Sequence, residues 1–98
     1  MILRYFEEAL NELLHGLDYY SEEHPVLGRA FYAEIQNSEK LIKRFPDAGK
    51  KHKKYPHLRI LPYRRFPYSL IYHISGETIY VVAVAHQNRK PDYWTKRL

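Results

Sequence analysis

The residues best suited to chemistry stand together near the end of the chain, directly after the apolar run TIYVVAV. They are His86, Arg89 and Tyr93, in the stretch AHQNRKPDYW. A histidine beside cations can accept or donate a proton in phosphodiester cleavage, and an arginine can stabilise the negative charge that develops on the phosphate. The same stretch also suits a structural role, in which His86 and Trp94 pin the end of the chain to a sheet. The residue types alone leave both roles open.

A second feature is the basic segment KKHKKYPHLRILPYRR, residues 50–65. It contains seven Lys or Arg residues and no acid, with Tyr55 and Tyr63 interleaved. Cations neutralise phosphates and tyrosine rings stack on bases, so this mixture suits an RNA or DNA surface. It suits an acidic protein segment equally well, because such a segment presents the same sign of charge.

Charge is divided unevenly along the chain. Residues 1–39 hold two basic and eight acidic side chains, a net charge of −6, whereas residues 40–98 hold fourteen basic and three acidic ones, a net charge of +11. We therefore expect the C-terminal part to attract polyanions or an acidic protein partner.

Composition excludes or disfavours several kinds of site. The chain has no cysteine, which excludes disulfides, thiolate metal ligands and cysteine catalysis. His52 and His57 have no carboxylate or cysteine beside them, and no P-loop, nucleophile elbow, HExxH or dinucleotide fingerprint occurs, so we predict no metal and no cofactor. A chain of 98 residues leaves little room for a small-molecule cavity. No apolar run approaches the roughly 20 residues that span a bilayer, and no signal peptide is apparent. We predict a soluble, cytoplasmic, single domain covering residues 1–98.

Two amphipathic helices are predicted in the first half of the chain. In FEEALNELLHGLDYY the apolar residues recur at spacings of three and four, from Phe6 to Tyr20, which places them on one stripe. SEEHP ends that helix, because the residue before a proline is disfavoured in the helical region, and Pro25 is suited to open the next one. The second apolar stripe runs from Leu27 to Phe45. The short connection predicts an antiparallel helical hairpin with one apolar face.

A sheet must cover that face, and the remaining sequence supplies one. LRILPYRR (58–65) alternates like a strand and carries Pro62, which suits an edge or a bulge. YSLIYHI (68–74) and TIYVVAVAH (78–86) are rich in β-branched and aromatic residues, and the SGE between them predicts a hairpin turn. With ILRY as a short N-terminal strand, the predicted fold is α+β: one strand, an antiparallel helical hairpin, a three-stranded antiparallel sheet and a short C-terminal tail.

Residues 64–97 resemble the C-terminal region of a known group of proteins. FPY leads into LIY, the strand IYVVAV follows, and the chain ends in the pattern H-x-x-R-x-P-x-Y-W-x-x-R. Upstream, EEALNELLHGLDYY and RFPDAG match as well. Together these elements resemble the ParE/RelE toxin superfamily of type II toxin–antitoxin modules, often described as plasmid stabilisation proteins, and are closer to its ParE-like members. The fold that this resemblance implies has the element order predicted above.

The resemblance implies one of two activities. RelE-like members are ribonucleases that cleave mRNA in the ribosomal A site, using lysines and arginines on the sheet and a C-terminal tyrosine, whereas ParE-like members inhibit DNA gyrase. In an alignment on the LIY motif, Ser69 takes the position of a catalytic arginine, and Ile60 and Pro62 take positions that often hold lysines. Because one group aimed at the developing charge contributes roughly 3 kcal/mol, losing most of these cations favours the ParE-like activity.

The resemblance also implies partners and site residues. The leading prediction is a toxin that inhibits gyrase by protein binding and is neutralised by a cognate antitoxin, an acidic and partly disordered chain that folds on binding. One alternative is a ribosome-dependent mRNA endoribonuclease with His86, Arg89 and Tyr93 as catalytic residues. Another is a decayed toxin that binds only antitoxin or nucleic acid. The residues predicted to bind a partner, on one positively charged platform, are Arg59, Arg64, Arg65, Arg89, Tyr93, Trp94 and Arg97.

Overall fold

The computed structural model describes all 98 residues as a pair of helices packed on one face of a sheet. In chain order the elements are β1 (Ile2–Tyr5), α1 (Glu7–Glu23), α2 (Pro25–Arg44), β2 (Lys50–Lys51), β3 (Arg59–Pro62), β4 (Tyr68–Ser75), β5 (Thr78–His86) and a C-terminal 3₁₀ turn (Tyr93–Arg97). The predicted α+β class and the predicted order of the main elements are confirmed.

The sheet has five strands in the order β1-β5-β4-β3-β2, so the predicted count of three is wrong. β3, β4 and β5 form the expected antiparallel meander. β1 joins it parallel to β5, with Ile2 opposite Thr78 and Tyr5 opposite Val81. A strand that is apolar on both faces, like β5, belongs in a sheet interior with neighbours on both sides. β1 supplies the neighbour that a three-stranded sheet would lack.

The other added strand is β2, which lies at the start of the basic segment 50–65, before the predicted strand 58–65. Lys50 and Lys51 pair with Ile60 and Arg59 of β3. Lysines on an edge strand discourage a further strand from pairing, and Pro62 removes a backbone N–H from β3 beyond the end of β2. This edge of the sheet is therefore poorly suited to strand addition.

The helices begin and end close to where the sequence predicts. Glu7 and Glu8 lie in the first turn of α1, where the helix dipole favours acids. His24 separates the helices, and its Nδ1 accepts the N–H of Val26 at 3.1 Å, while Pro25 opens α2 as predicted. Neither helix is long and apolar enough to cross a membrane.

Two clusters of buried residues lie on opposite faces of the sheet. The larger cluster fills the space between the helices and the strands and consists of Ala9, Leu13, Phe31, Ile35, Ile42, Tyr63, Leu70, Tyr72, Ile79, Val81 and Val84. The smaller one, on the face without helices, consists of Leu58, Ile71, Val82, Ala83 and Trp94. We call these faces the inner and the outer face of the sheet.

A β-bulge shapes the outer face. Ile71 lies opposite Ala83, but its neighbour Tyr72 lies opposite Val81, which leaves Val82 as the extra residue on β5. Val82 and Ala83 both pack in the outer cluster, although they are consecutive. The bulge therefore turns two successive side chains outward, and these form part of the apolar surface against which Trp94 packs.

Candidate functional site

Beyond the end of β1, the backbone of β5 forms hydrogen bonds with side chains instead of with a neighbouring strand. The N–H of Phe6 donates to Val81 O, and there the pairing with β1 ends. Beyond that point the N–H of Val84 donates to Glu12 Oε1 at 3.0 Å, and Arg97 Nη1 donates to Val82 O at 3.1 Å. Two charged side chains thus satisfy backbone groups that would otherwise be left without a partner.

Glu12, on α1, is the centre of this arrangement. Its carboxylate accepts from Val84, from the Tyr93 hydroxyl and from both Arg97 Nη atoms, at 2.8 and 3.1 Å. The side chains of Glu12 and Arg97 are only 14% and 10% exposed, so this is a largely buried, two-point ion pair. Arg89 Nη1 lies 3.8 Å from the same carboxylate at its solvent side. We call residues 87–98 the tail; Glu12 fixes one side of it.

The other side of the tail is held by the loop before β3. His52 Nδ1 accepts the N–H groups of Lys54 and Tyr55, so its Nε2 carries the proton and donates to Asp92 at 3.0 Å. Asp92 has a φ of 59°, a left-handed conformation that aspartate tolerates, and it turns the chain into the 3₁₀ turn. Trp94, 3% exposed, then packs on the outer cluster with its ring edge-on to His52.

Between the tail and the strands lies a small depression of about 210 Å³, which we call the tail pocket. The residues that line it include all three of the residues considered for ribonuclease chemistry and two of the aligned strand positions: His86, Arg89, Tyr93, Ile60 and Ser69. The catalytic role of the first three residues stays a prediction, and Ile60 and Ser69 bring no charge to the pocket. Pro62, the third aligned position, does not line it.

Within the tail pocket the reactive groups are already occupied. The Tyr93 hydroxyl donates to Glu12, and the Arg89 guanidinium lies over the Tyr93 ring, 3.9 Å from its centroid. His86 contributes to the rim of the pocket, but its Nδ1 accepts the N–H of Asn88 at 3.0 Å and its ring packs edge-on against Tyr68, which lies opposite it in register and faces the inner side of the sheet. A phosphate in this pocket would meet few free donors, because the arginines and the tyrosine face a carboxylate instead.

The predicted partner-binding residues lie in three places, not on one platform. Arg89, Tyr93, Trp94 and Arg97 are together in the tail. Arg59 lies opposite Tyr72, which faces the inner side of the sheet, and its Nη1 donates to the carbonyls of Gly49 and Asp47 at 2.7 and 3.2 Å. It therefore braces the loop after α2.

The remaining pair, Arg64 and Arg65, lies at the end of β3 beside α2. Their backbone N–H groups donate to the buried carboxylate of Glu34 at 3.1 and 3.0 Å, while the residues themselves are exposed. Whether each of the seven residues binds a partner stays a prediction. The five arginines, however, do not lie on a single surface.

A groove that the sequence did not predict runs along α2 and the free edge of β3. Three adjoining depressions of about 560, 220 and 460 Å³ share Leu61 and Pro62 at one junction and Glu34, Asn37 and Arg64 at the other. Its apolar lining is Ala30, Ala33, Leu41, Ala48, Ile60, Leu61 and Pro62. Its cations are Lys50, Lys51, Lys53, Arg64 and Arg65. We call it the edge groove. The sequence signal was present, since these cations flank β3 in the basic segment 50–65, but the wall supplied by α2 was not visible there.

The architecture, an α+β domain with a helical hairpin on one face of the sheet and a folded-back tail on the other, also occurs in a solved structure. A chain from a solved structure described as the chromosomal ParDE toxin–antitoxin system from P. aeruginosa is similar in fold, with a TM-score of 0.72 and 18% identity, over 88% of this chain and 95% of that chain. The model of the family described as the ParE toxin of the type II toxin–antitoxin system, parDE, matches residues 3–91. The protein belongs to this family. The comparison with curated proteins found no match.

The tail gives the protein a predicted sensitivity to alkali. Burial and the Glu12 carboxylate raise the pKa of Tyr93 from 10.0 to about 12. Because the folded state holds this proton more tightly than the unfolded state, its contribution is complete below pH 10 and is lost as the pH rises towards 12. Burial also raises the pKa values of Tyr5 and Tyr63, so the wild type alone cannot isolate Tyr93. We expect urea midpoints measured between pH 8 and 11 to fall less steeply for Tyr93→Phe than for the wild type. Parallel curves would contradict this assignment.

Proposed function

We propose that this ParE-family toxin inhibits DNA gyrase by binding it in the cytoplasm, and does not cleave RNA. The observation that carries the proposal is the lining of the tail pocket, where Ile60 and Ser69 stand at positions that a ribonuclease of the wider superfamily would fill with cations. Without those cations the pocket lacks most of the positive charge that stabilises a phosphate in cleavage. A surface that binds a protein target does not need them.

Arg89 is the tail residue best placed to touch the target. Its side chain is 55% exposed and rests on the Tyr93 ring, which limits its conformations before binding. Tyr93, Trp94 and Arg97 lie beneath it and are tied to Glu12 and the outer cluster. We therefore assign direct contact with an acidic region of gyrase to Arg89 and a positioning role to the other three.

A ribonuclease is the second candidate, because Arg89 and Tyr93 line one pocket with His86 at its rim, although the His86 ring packs against Tyr68 of the inner face. In that activity the histidine would exchange the proton and Arg89 would face the phosphate. The Tyr93 hydroxyl would have to leave the Glu12 carboxylate in order to take part. Breaking this hydrogen bond costs free energy, and Ile60 and Ser69 supply no positive charge. Ribonuclease activity is therefore the weaker proposal.

We assign the antitoxin to the edge groove. An acidic chain that folds on binding as an amphipathic helix would place its apolar face on Leu41, Leu61 and their neighbours, and its acids beside the lysines and arginines of the rim. The lysines of β2 and the missing N–H of Pro62 disfavour the alternative of an added strand. Arg64 and Arg65 would bind this partner directly, whereas Arg59 would hold the adjoining loop in place.

The decisive experiment measures gyrase activity on relaxed plasmid. We expect purified toxin in excess to block supercoiling, and the cognate antitoxin to restore it. Arg89→Glu should raise the half-inhibitory concentration by about tenfold or more, since a reversed charge faces an acidic surface. Lys43→Glu, an equal change of charge at an exposed position on α2, should inhibit like the wild type.

Three other results would contradict the proposal. Supercoiling that is unaltered by excess toxin would remove gyrase as the target. Cleavage of ribosome-bound mRNA that disappears in His86→Ala would replace the proposal with the ribonuclease. A protein that binds antitoxin but is inert in both assays would be a decayed toxin.

A further inference from the structure

The outer face of the sheet carries exposed rings far from the tail. His73 of β4 and Tyr80 of β5 are direct neighbours in the strand register, and their rings are stacked at an interplanar angle of 23° and a centroid distance of 5.4 Å. Both residues are partly exposed on the face that the helices leave uncovered. Ser69, which lines the tail pocket, is four residues before His73 on β4, which corresponds to about 13 Å along the strand. The two regions are therefore separate.

The loop before β3 extends this row of rings across the sheet. His57 lies 6.2 Å from His73 by ring centroids, and Tyr55 lies 6.5 Å from His57. We call the four residues Tyr55, His57, His73 and Tyr80 the ring strip. His57 is exposed and the other three are partly exposed, so all four are accessible from one side. Burial and the neighbouring His57 lower the pKa of His73, which keeps that ring uncharged at neutral pH.

Three cations lie beside the ring strip. Lys54 Nζ lies 5.6 Å from the centre of the Tyr55 ring, and Lys53 precedes it in the same exposed loop. Arg4 of β1 is paired in register with Tyr80 and is also exposed. No acidic residue occurs between positions 48 and 76, the segment that supplies three of the four rings.

We propose that the ring strip binds single-stranded nucleic acid, with bases stacked on the rings and phosphates beside Lys53, Lys54 and Arg4. An antiparallel sheet that has helices on one face and rings on adjacent central strands of the other is the arrangement on which sheet-type RNA-binding modules stack unpaired bases. A loop with several cations beside such rings follows the phosphates of a strand without selecting a sequence. Tyr80 separates this function from gyrase inhibition, because its ring contacts are with His73 and Phe6, whereas the Tyr55 ring lies 6.1 Å from that of Trp94 in the tail.

Fluorescence anisotropy with labelled twelve-nucleotide oligo(U) and oligo(dT), and with a twelve-base-pair duplex of mixed sequence, tests the proposal. We expect both single strands to bind more tightly than the duplex. Tyr80→Ala should weaken single-strand binding by about tenfold, whereas Tyr80→Phe, which keeps the ring, should bind like the wild type. Tyr32→Ala removes an equally large exposed ring from α2 and is the matched control. Lys53→Ala with Lys54→Ala should reduce the slope of log affinity against log salt concentration by about 0.7 per lysine.

Far-UV circular dichroism tests whether Tyr80→Ala is folded; if it is not, His57→Ala takes its place, at an exposed loop residue on which no strand pairing depends. The proposal is overturned if neither single strand binds. It is equally overturned if duplex and single strand bind alike and only the lysine changes matter, since that describes a polyanion surface without stacking. Binding of protein partners alone, with no measurable affinity for either oligonucleotide, would assign the ring strip to a protein interface instead.

Discussion

We expect Glu12→Ala to unfold with a free energy about 3–5 kcal/mol below that of the wild type, because it leaves a largely buried cation without its partner. Arg97 is 10% exposed and forms an ion pair with Glu12 alone, and the N–H of Val84 and the hydroxyl of Tyr93 lose their acceptor in the same step. Urea denaturation followed by far-UV circular dichroism measures the loss. The emission of Trp94, the only tryptophan, should shift to longer wavelength before global unfolding as the tail detaches.

The control for this prediction is Glu22→Ala, which removes the same side chain from an exposed position on the same helix and should change stability by no more than about 0.5 kcal/mol. A double-mutant cycle with Arg97→Ala adds a second criterion. Because the two residues form one buried unit, the double variant should lose clearly less than the sum of the single losses. A loss below about 1 kcal/mol in Glu12→Ala, or strict additivity, would contradict the role given to this carboxylate.

The elements of the fold were predictable where a local pattern decides them. The helices follow from spacings of three and four in α1 and α2, and the β4–β5 hairpin follows from two β-rich runs around Gly76, which has a φ of 60°. The position of β1 was not predictable in this way. Its parallel pairing with β5 joins residues at opposite ends of the chain, and nothing in the four residues ILRY specifies a partner.

In the candidate site, too, contacts between sequence neighbours were predictable and contacts between distant residues were not. The residues from His86 to Tyr93 line one pocket because they are neighbours in sequence, but the pattern did not show that the His86 ring packs against Tyr68 of the inner face. Glu12 was missed because its contacts cross 72 to 85 positions of the chain, and a single acid on an amphipathic helix gives no sign of them. The platform of five arginines failed for a geometric reason: side chains alternate along β3, so Arg59 faces the inner side with Tyr72, and Arg64 and Arg65 lie beyond the strand's end.

Trp94→Ala is expected to lower the free energy of unfolding by about 3–5 kcal/mol, the usual cost of deleting a buried tryptophan. Trp94 is 3% exposed and packs with Leu58, Ile71, Val82 and Ala83, the whole of the outer cluster. Without it the bulge residues face water, and the tail keeps only its polar contacts to Glu12 and His52. Chemical denaturation and the rate of tryptic cleavage after Lys96 both report the change, and Leu98→Ala, at a residue 54% exposed, is the control in the tail.

This variant also decides which role Trp94 has in the proposed inhibition of gyrase. If Trp94 positions the tail, stability and inhibition fall together in Trp94→Ala. Trp94→Phe, which fills most of the space that the indole occupies, then recovers part of both. If Trp94 were itself the contact with the target, inhibition would be lost in a protein that unfolds at nearly the wild-type urea concentration. Its burial beneath His52 and against the bulge favours the first outcome, because a side chain already desolvated by its own fold has little surface left for a partner. Full inhibition by Trp94→Ala at wild-type potency would show that the tail is not part of the binding surface at all.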